Sequence, residues 1–154
     1  MIIISALTRD RVIGAGPGMP WNIPEEYRHF LETVHGQTVL MGRRSWEIFG
    51  GDLTSAHNVV VSRSVRELPG ATVASGIAAA LQVARGFGKA VFSAGGARIY
   101  EQTLPLATEM RLSWIEGDFR GDAYFPEFDP DSWQVTGSTD HPGFELVTYR
   151  RKTP

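Results

Sequence analysis

Short apolar runs alternate along the chain with amphipathic segments of helical period. The apolar runs predict strands over residues 2–7, 38–42, 58–63, 71–75, 89–94 and 109–116. The segments between them predict helices over residues 24–34, 45–49, 76–85 and 97–104. Residues 132–139 and 141–152 alternate with period two around a Pro-Gly turn, which is typical of an antiparallel hairpin. The pattern predicts an α/β fold with a mixed, mostly parallel sheet flanked by helices and closed by this hairpin.

Composition narrows the classes of protein that fit this pattern. The 154 residues are 42% hydrophobic and 21% charged, which suits one domain over residues 1–154. The net charge of −2 gives no broad basic field for nucleic acid or an anionic membrane. The absence of cysteine excludes disulfides, thiolate metal sites and cysteine nucleophiles, and agrees with a reducing cytoplasm. The apolar run in residues 1–10 is too short for a membrane anchor and follows no basic segment, so we expect a cytoplasmic protein.

Two adjacent glutamates, Glu25 and Glu26, open the first predicted helix. At about 100° per residue, Glu25 falls on the polar side, whereas Glu26 lies beside Ile23 and Phe30 at the edge of the apolar stripe. An ionised carboxylate at that edge is partly desolvated, which predicts a raised pKa for Glu26. Acidic residues in a first turn also complement the helix dipole, so a functional and a structural interpretation both fit this segment.

Three arginines lie at the ends of predicted strands. Arg43 and Arg44 follow one strand, and Arg63 ends the next. Such ends face the ligand crevice of an open α/β sheet, and guanidinium groups suit a phosphate dianion. A helix predicted to begin at Ser45 adds free amide groups that attract phosphate. These features predict a phosphate site. A solvated basic turn is the usual explanation for a lone arginine pair, and the third arginine at a second strand end weakens it.

A pair of glycines, Gly95 and Gly96, separates the predicted strand that ends at Ala94 from the helix that follows. Adjacent glycines let the backbone approach a ligand closely. The pair does not form the GxGxxG fingerprint, and the first strand and helix lack that fingerprint as well, which disfavours a Rossmann dehydrogenase.

Six segments resemble, in order, those of the dihydrofolate reductase family. They are DRVIG at 10–14, MPWNIPEE at 19–26, VLMGRRSWE at 39–47, NVVVSR at 58–63, AGGARIYEQTLP at 94–105 and GDAYFPEF at 121–128. The resemblance covers nearly the whole chain. It implies an eight-stranded sheet, NADPH as hydride donor, reduction of the 5,6-double bond of 7,8-dihydrofolate to tetrahydrofolate, and a monomer.

The resemblance gives Glu26 the position of the family's pocket carboxylate, which binds the pterin amino group and ring N–H. Hydride addition at C6 leaves N5 requiring a proton, and a buried carboxylate can orient the pterin and favour its protonated form. Trp21 would help to hold the water that delivers this proton, and core packing is the alternative explanation for it.

The resemblance also implies which other residues contact the ligands. The substrate-binding residues would be Ile4, Ser5, Glu26, Tyr27, Phe30, Phe49, Leu53, Ala94 and Ser113. The cofactor-binding residues would be Ala6, Ile13, Gly14, Met19, Arg43, Arg44, Ser45, Ser62, Arg63, Gly95, Gly96, Ala97, Arg98, Ile99 and Tyr100. The residues expected to hold the 2′-phosphate that distinguishes NADPH from NADH are Arg43, Arg44, Ser62 and Arg63. Residues 15–21 would form a mobile loop over the nicotinamide, and the Gly95–Gly96 peptide is cis in the family.

One position departs from the family's pattern. Ala56 stands where the family usually has an arginine that grips the glutamate tail of the substrate, and Leu31 and Gly51, often basic in the family, are neutral. Arg28 and His57 are nearby cations, but helix and strand geometry direct them elsewhere.

The sequence therefore leaves three hypotheses about the function open. The first is a dihydrofolate reductase. The second is a reductase of the same fold that acts on a pterin without a glutamate tail, or a relative of the riboflavin-pathway reductases. The third is a non-catalytic NADPH-binding module, which the retention of both Glu26 and the arginines disfavours.

Overall fold

An eight-stranded sheet forms the centre of the computed structural model, which describes residues 1–153. The strands are β1 Ile2–Thr8, β2 Val12–Gly14, β3 Thr38–Gly42, β4 His57–Val61, β5 Thr72–Ala74, β6 Val91–Ser93, β7 Glu109–Ile115, β8 Ala123–Tyr124, β9 Trp133–His141 and β10 Phe144–Arg151. The helices are α1 Pro24–Val34, α2 Arg43–Phe49, α3 Ile77–Gly86 and α4 Ala97–Thr103, with short 3-10 helices at Gly50–Asp52, Leu104–Leu106 and Pro130–Ser132.

The strand order in the main sheet is β5-β4-β3-β6-β1-β7-β10-β9, and β2 pairs with β8 in a separate two-stranded sheet. Strand β1 runs parallel to both β6 and β7, and β3, β4 and β5 are parallel to one another. Only β10 and β9 introduce antiparallel pairing into the main sheet. The predicted α/β class, the mostly parallel eight-stranded sheet and the closing hairpin are confirmed.

The alternation of side chains along β3 explains the two helical layers. Val39 and Met41 face one side of the sheet, where they join a cluster with Val34 of α1. Leu40 faces the other side and packs in a cluster with residues of α3 and α4 such as Leu81 and Ile99. Each of these apolar side chains contributes about 1.5–3 kcal/mol on full burial, so both faces of the sheet must be covered.

Helix α1 starts at Pro24, as predicted, and turns Glu26 toward the sheet. Its buried residues are Glu26 and Val34, whereas Tyr27 and Phe30 are only partly buried. The helical period placed Glu26 at the edge of the apolar stripe. The structure corrects this prediction, because the carboxylate is more deeply buried than its aromatic neighbours.

Helix α2 begins at Arg43, so the prediction that it opens at Ser45 is wrong by two residues. Gly42 is extended and ends β3, and the helical conformation starts immediately after it. An ion pair between Arg43 Nε and Glu47 Oε1, 2.9 Å apart and one turn along the helix, stabilises this earlier start.

The other differences from the predicted elements concern short segments. The strand predicted over 58–63 is His57–Val61, and that predicted over 89–94 shortens to Val91–Ser93. Strands β2 and β8 were not predicted, since two or three residues show no period. Within residues 1–153, no helix combines the length and apolar character that crossing a membrane requires.

Candidate active site

An apolar pocket opens beside β1, between the sheet and helix α1. Its lining residues are Ile4, Ser5, Ala6, Ile13, Met19, Glu26, Tyr27, Phe30, Ser45, Phe49, Ala94, Gly96 and Tyr100. Strand β1 supplies the floor, α1 and α2 supply the sides, and the segment after β6 closes the far end. The pocket therefore lies beside the central strand of the sheet, where neighbouring connections diverge and ligands of open α/β folds bind.

Glu26 is the charged residue that lines this pocket, and its side chain is nearly inaccessible, with 6% exposure. Burial raises the pKa of Glu26, and the neighbouring Ser113 hydroxyl lowers it by a smaller amount. Ser113 is brought there by the register of the sheet, in which it pairs with Ala6. A buried carboxyl with one polar neighbour can accept hydrogen bonds from a ligand without competition from water.

Three aromatic residues form the outer part of the same pocket. Tyr27 lies with its ring centroid 6.1 Å from Phe30 and 6.0 Å from Phe49. The Tyr27 hydroxyl donates a 2.6 Å hydrogen bond to Oδ2 of Asp52. This arrangement provides a flat, apolar passage for an aromatic ligand, with a carboxylate at its rim.

A second, larger cleft lies on the other side of α2 and carries most of the predicted cofactor residues. Its lining includes Gly14, Arg43, Arg44, Ser62, Arg63, Ala97, Arg98 and Ile99. The Nη1 atom of Arg43 lies 3.2 Å from the Ser64 hydroxyl. The exposed guanidinium groups converge with serine hydroxyls, a donor set that fits a phosphate dianion.

The two clefts meet along a shared wall. The residues that line both are Ile13, Met19, Ser45, Phe49 and Gly96. Ligands bound in the two clefts would therefore lie next to each other and contact the same five residues. The arrangement suits the direct transfer of a chemical group from one bound molecule to the other.

The glycine pair lies at this junction, and its peptide bond is cis, as the resemblance implied. Gly95 has φ +95°, and a Cβ atom there would lie 2.9 Å from the Tyr100 ring. Its carbonyl accepts a 2.8 Å hydrogen bond from the Gly42 amide, which ties the end of β3 to the turn. The position thus accepts only glycine, because both the backbone conformation and the packing exclude a side chain.

The loop after β2 covers the junction from outside. The amide of Ala15 donates to the Gly18 carbonyl at 2.8 Å, and the Gly16 amide lies 3.2 Å from Oδ1 of Asp122. At Gly121, a Cβ atom would lie 2.2 Å from the Gly14 carbonyl oxygen. This close approach lets the β8 segment support the glycine-rich loop.

Most of the residues expected to contact a ligand line one of the two clefts, but four lie behind the walls. Leu53 packs in the cluster beneath α1, Gly95 is buried, and Ser113 supports Glu26 from the sheet. Trp21 is also buried, and its ring packs against that of Phe119 at 5.9 Å. Ala6 and Tyr100, which were expected to bind the cofactor, line the apolar pocket and not the arginine-lined cleft.

Trp21 and Thr38 share an unusual property among residues 1–153. Trp21 Nε1 and Thr38 Oγ1 are the buried side-chain polar atoms that have no hydrogen-bond partner in the protein. An unpaired buried donor costs about 1–3 kcal/mol, so the indole N–H favours binding an acceptor.

Gly16 and Gly18, in the loop predicted over residues 15–21, line the second cleft. The cleft residues that sequence reasoning missed are Gly42, Ile48, Val61, Ser75, Gly76, Gln102, Asp122 and Ala123. Some of them had a usable signal, because Ser75 and Gly76 follow a predicted strand just as Arg63 does. Asp122 had none, since only the pairing of β2 with β8 brings it to the loop.

Comparisons with known proteins agree with this architecture. A family profile described as dihydrofolate reductase matches residues 1–151. Dihydrofolate reductase HdrB of Haloferax volcanii is 37% identical over a 163-residue alignment that covers 99% of this chain and 84% of its own. The dihydrofolate reductase of Neisseria meningitidis is 38% identical over 140 residues, covering 90% and 86% of the two chains. That of Bacillus subtilis is 32% identical over 157 residues, covering 97% and 93%. The chain therefore belongs to the dihydrofolate reductase family and is an oxidoreductase.

Proposed function

We propose that this protein reduces 7,8-dihydrofolate to 5,6,7,8-tetrahydrofolate with NADPH as the reductant. The observation that carries the proposal is the buried Glu26 carboxyl, which lines an apolar pocket that shares a wall with an arginine-lined cleft. The relatives named as dihydrofolate reductases support the same assignment.

The arginine-lined cleft fits NADPH by the chemistry of its donors. Arg43, Arg44 and Arg63, with the Ser62 hydroxyl, would hold the 2′-phosphate, which NADH lacks. The shared wall of Ile13, Met19, Ser45, Phe49 and Gly96 would place the nicotinamide beside the pterin. When bound, NADPH supplies a hydride to C6 of the pterin.

The apolar pocket would hold the dihydropterin ring, with Glu26 as its polar anchor. The carboxylate would accept hydrogen bonds from the pterin amino group and the adjacent ring N–H, which fixes the ring in one orientation. Ile4 and Ala94, which line the pocket, would pack against the ring, and Phe30 and Phe49 would flank the group attached to it.

The reaction also consumes one proton, which N5 receives as C6 receives the hydride. The negative charge of Glu26 raises the proton affinity of the bound ring, and the apolar lining strengthens this effect by excluding water. The buried Trp21 N–H, which has no acceptor in the protein, is available to hold the water that carries the proton. Met19, a residue of the loop after β2, lines both clefts and would contact both ligands.

The test is steady-state oxidation of NADPH by the purified protein, with and without dihydrofolate, alongside the variants Glu26→Gln and Glu26→Asp. We expect dihydrofolate-dependent oxidation that Glu26→Gln lowers strongly and Glu26→Asp retains in part. NADPH binding without turnover of dihydrofolate would contradict the proposal and favour a non-catalytic module.

A further inference from the structure

The rim of the substrate pocket carries an acidic side chain that the proposed reaction does not use. Asp52 ends the short helix Gly50–Asp52, shortly after Phe49. Its Oδ2 accepts the 2.6 Å hydrogen bond from the Tyr27 hydroxyl. Tyr27 and Phe49 both line the pocket, so the carboxylate of Asp52 is held at the pocket mouth by a residue of the pocket wall.

No cation neutralises Asp52 within residues 1–153. None of the ion pairs in this part of the chain includes it, and its side-chain hydrogen bond comes from a neutral phenol. Burial raises the pKa of Tyr27, and the hydrogen bond and charge of Asp52 raise it further. The Tyr27 hydroxyl therefore remains the donor of this hydrogen bond.

Two basic residues of the neighbouring elements, Arg28 and His57, do not pair with Asp52. Arg28 is exposed and lies about 100° around α1 from Tyr27. The His57 ring stacks on Phe87 with centroids 3.9 Å apart and planes within 4°. The residue beside His57 is the neutral Ala56, which carries no group able to pair with an anion.

The lining of the pocket reinforces this charge distribution. The Glu26 carboxyl lines the pocket, and no lysine or arginine of residues 1–153 lines it. The arginines of the second cleft do not line the pocket, and Arg43 is already paired with Glu47. A ligand anchored on Glu26 therefore extends from one acidic group toward another.

We propose that Asp52 is a specificity-determining residue that makes the pocket mouth select against anionic groups attached to the pterin. The inference rests on the proposed function, because it names the substrate class of the same site. The glutamate tail of dihydrofolate brings carboxylates toward Asp52, and like charges repel at this partly solvated rim. The pocket mouth therefore gives the glutamate tail no advantage, and the site accepts dihydrofolate and a 7,8-dihydropterin with a short neutral side chain as one substrate class.

The experiment compares kcat/KM for dihydrofolate and for 6-methyl-7,8-dihydropterin, each at low and high salt. The variants are Asp52→Asn, which keeps a partner for Tyr27, and Asp52→Glu, which keeps the charge. Asp131→Asn removes one exposed acid far from the pocket and is the matched control. The same proteins are titrated by calorimetry with folate and with 6-methylpterin, so that affinity is measured without turnover.

We expect the unmodified protein to use the tail-free dihydropterin at least as well as dihydrofolate. Asp52→Asn then raises kcat/KM for dihydrofolate by about threefold to tenfold, the size of one like-charge contact near the surface, and leaves the neutral substrate unchanged. High salt produces the same shift in the unmodified protein and in Asp52→Glu, because it screens the repulsion. Asp131→Asn behaves as the unmodified protein does.

Two results separate the failure of this inference from that of the proposed function. A strong preference for dihydrofolate that neither Asp52→Asn nor salt changes would overturn the inference and leave the reductase intact. Turnover of neither substrate, with Asp52→Asn still improving the affinity for folate alone, would overturn the proposed reaction and support the selection by charge.

Discussion

The hydroxyl of Tyr100 donates a 2.7 Å hydrogen bond to the carbonyl oxygen of Ile4. It thereby joins helix α4 to strand β1 at the wall of the apolar pocket, beneath the Gly95 turn. Burial raises the pKa of Tyr100, so this hydroxyl remains a donor throughout the working range of pH. The bond fixes the junction between the two clefts from the inside of the molecule.

Tyr100→Phe is expected to lower the free energy of unfolding by about 0.5–1.5 kcal/mol, the usual net contribution of one such hydrogen bond. Urea unfolding measures it. Tyr124→Phe is the control, because the Tyr124 hydroxyl donates to Gly121 at 3.2 Å from an exposed side chain and should contribute little. Equal losses of unfolding free energy in the two variants would show that the Tyr100 hydrogen bond contributes no more than the exposed Tyr124 bond.

Glu26→Gln is expected to slow hydride transfer most at neutral and high pH. A neutral amide cannot raise the proton affinity of the bound pterin, and protons from solvent become scarce in that range. Single-turnover measurements across pH test this, with Glu26→Asp as the variant that keeps a carboxyl. A pH profile identical to that of the unmodified protein would remove Glu26 from its assigned role.

The same Glu26→Gln substitution is expected to stabilise the fold at neutral pH. The folded-state pKa of Glu26 lies above its ordinary value of 4.5, so its contribution favours folding below pH 4.5 and is lost as the pH rises through the folded-state pKa. The advantage of Glu26→Gln over the unmodified protein should therefore grow from acid to neutral pH in urea unfolding. A constant difference at every pH would contradict the raised pKa.

Replacement of Arg43 and Arg63 by alanine is expected to raise KM for NADPH and leave KM for NADH nearly unchanged. A charge-assisted hydrogen bond contributes about 1.5–3 kcal/mol, which corresponds to roughly tenfold to hundredfold per arginine. Arg85→Ala, at an exposed position in α3, controls for the loss of positive charge. Equal effects on both cofactors would exclude the 2′-phosphate assignment.

The lowered pKa of His29 predicts that the free energy of unfolding decreases in mildly acidic solution. Its pKa is lowered from 6.5, chiefly by burial and next by the charge of His141, with a further contribution from Arg111 that Glu32 opposes. A lowered folded-state pKa means that its contribution is present above pH 6.5 and is lost as the pH falls below that value and through the folded-state pKa. His29→Asn should flatten the stability profile in this range, as urea unfolding at a series of pH values would measure. An unaltered profile would show that another group titrates there.

The elements that sequence reasoning located well are those whose signal is local. Strands β1 and β3 are unbroken apolar runs, and α1 begins at a proline that suits only a first turn. Strands β2 and β8 depend on contacts distant in sequence, such as the Phe125 amide bonding to the Arg11 carbonyl at 2.8 Å. No window of sequence holds both partners, so these strands could not be predicted.

The candidate site shows the same division. Helical period brought Glu26 to the edge of the buried face, but its depth is set by how α1 lies on the sheet. The Tyr27 contact with Asp52 joins α1 to the turn after α2, and only the packed fold defines that distance. The sequence therefore predicted the Glu26 carboxyl beside the buried face and did not reveal the Asp52 carboxylate at the pocket mouth.

The wall that the two clefts share also has a thermodynamic consequence. Met19 and Phe49 line both clefts, so a ligand in either cleft would contact side chains that the other ligand also contacts. Under the proposed function, binding of cofactor and substrate is therefore expected to be coupled, and the coupling free energy is a property of the pair. If the first ligand changes the affinity for the second by a given factor, the second changes the affinity for the first by the same factor.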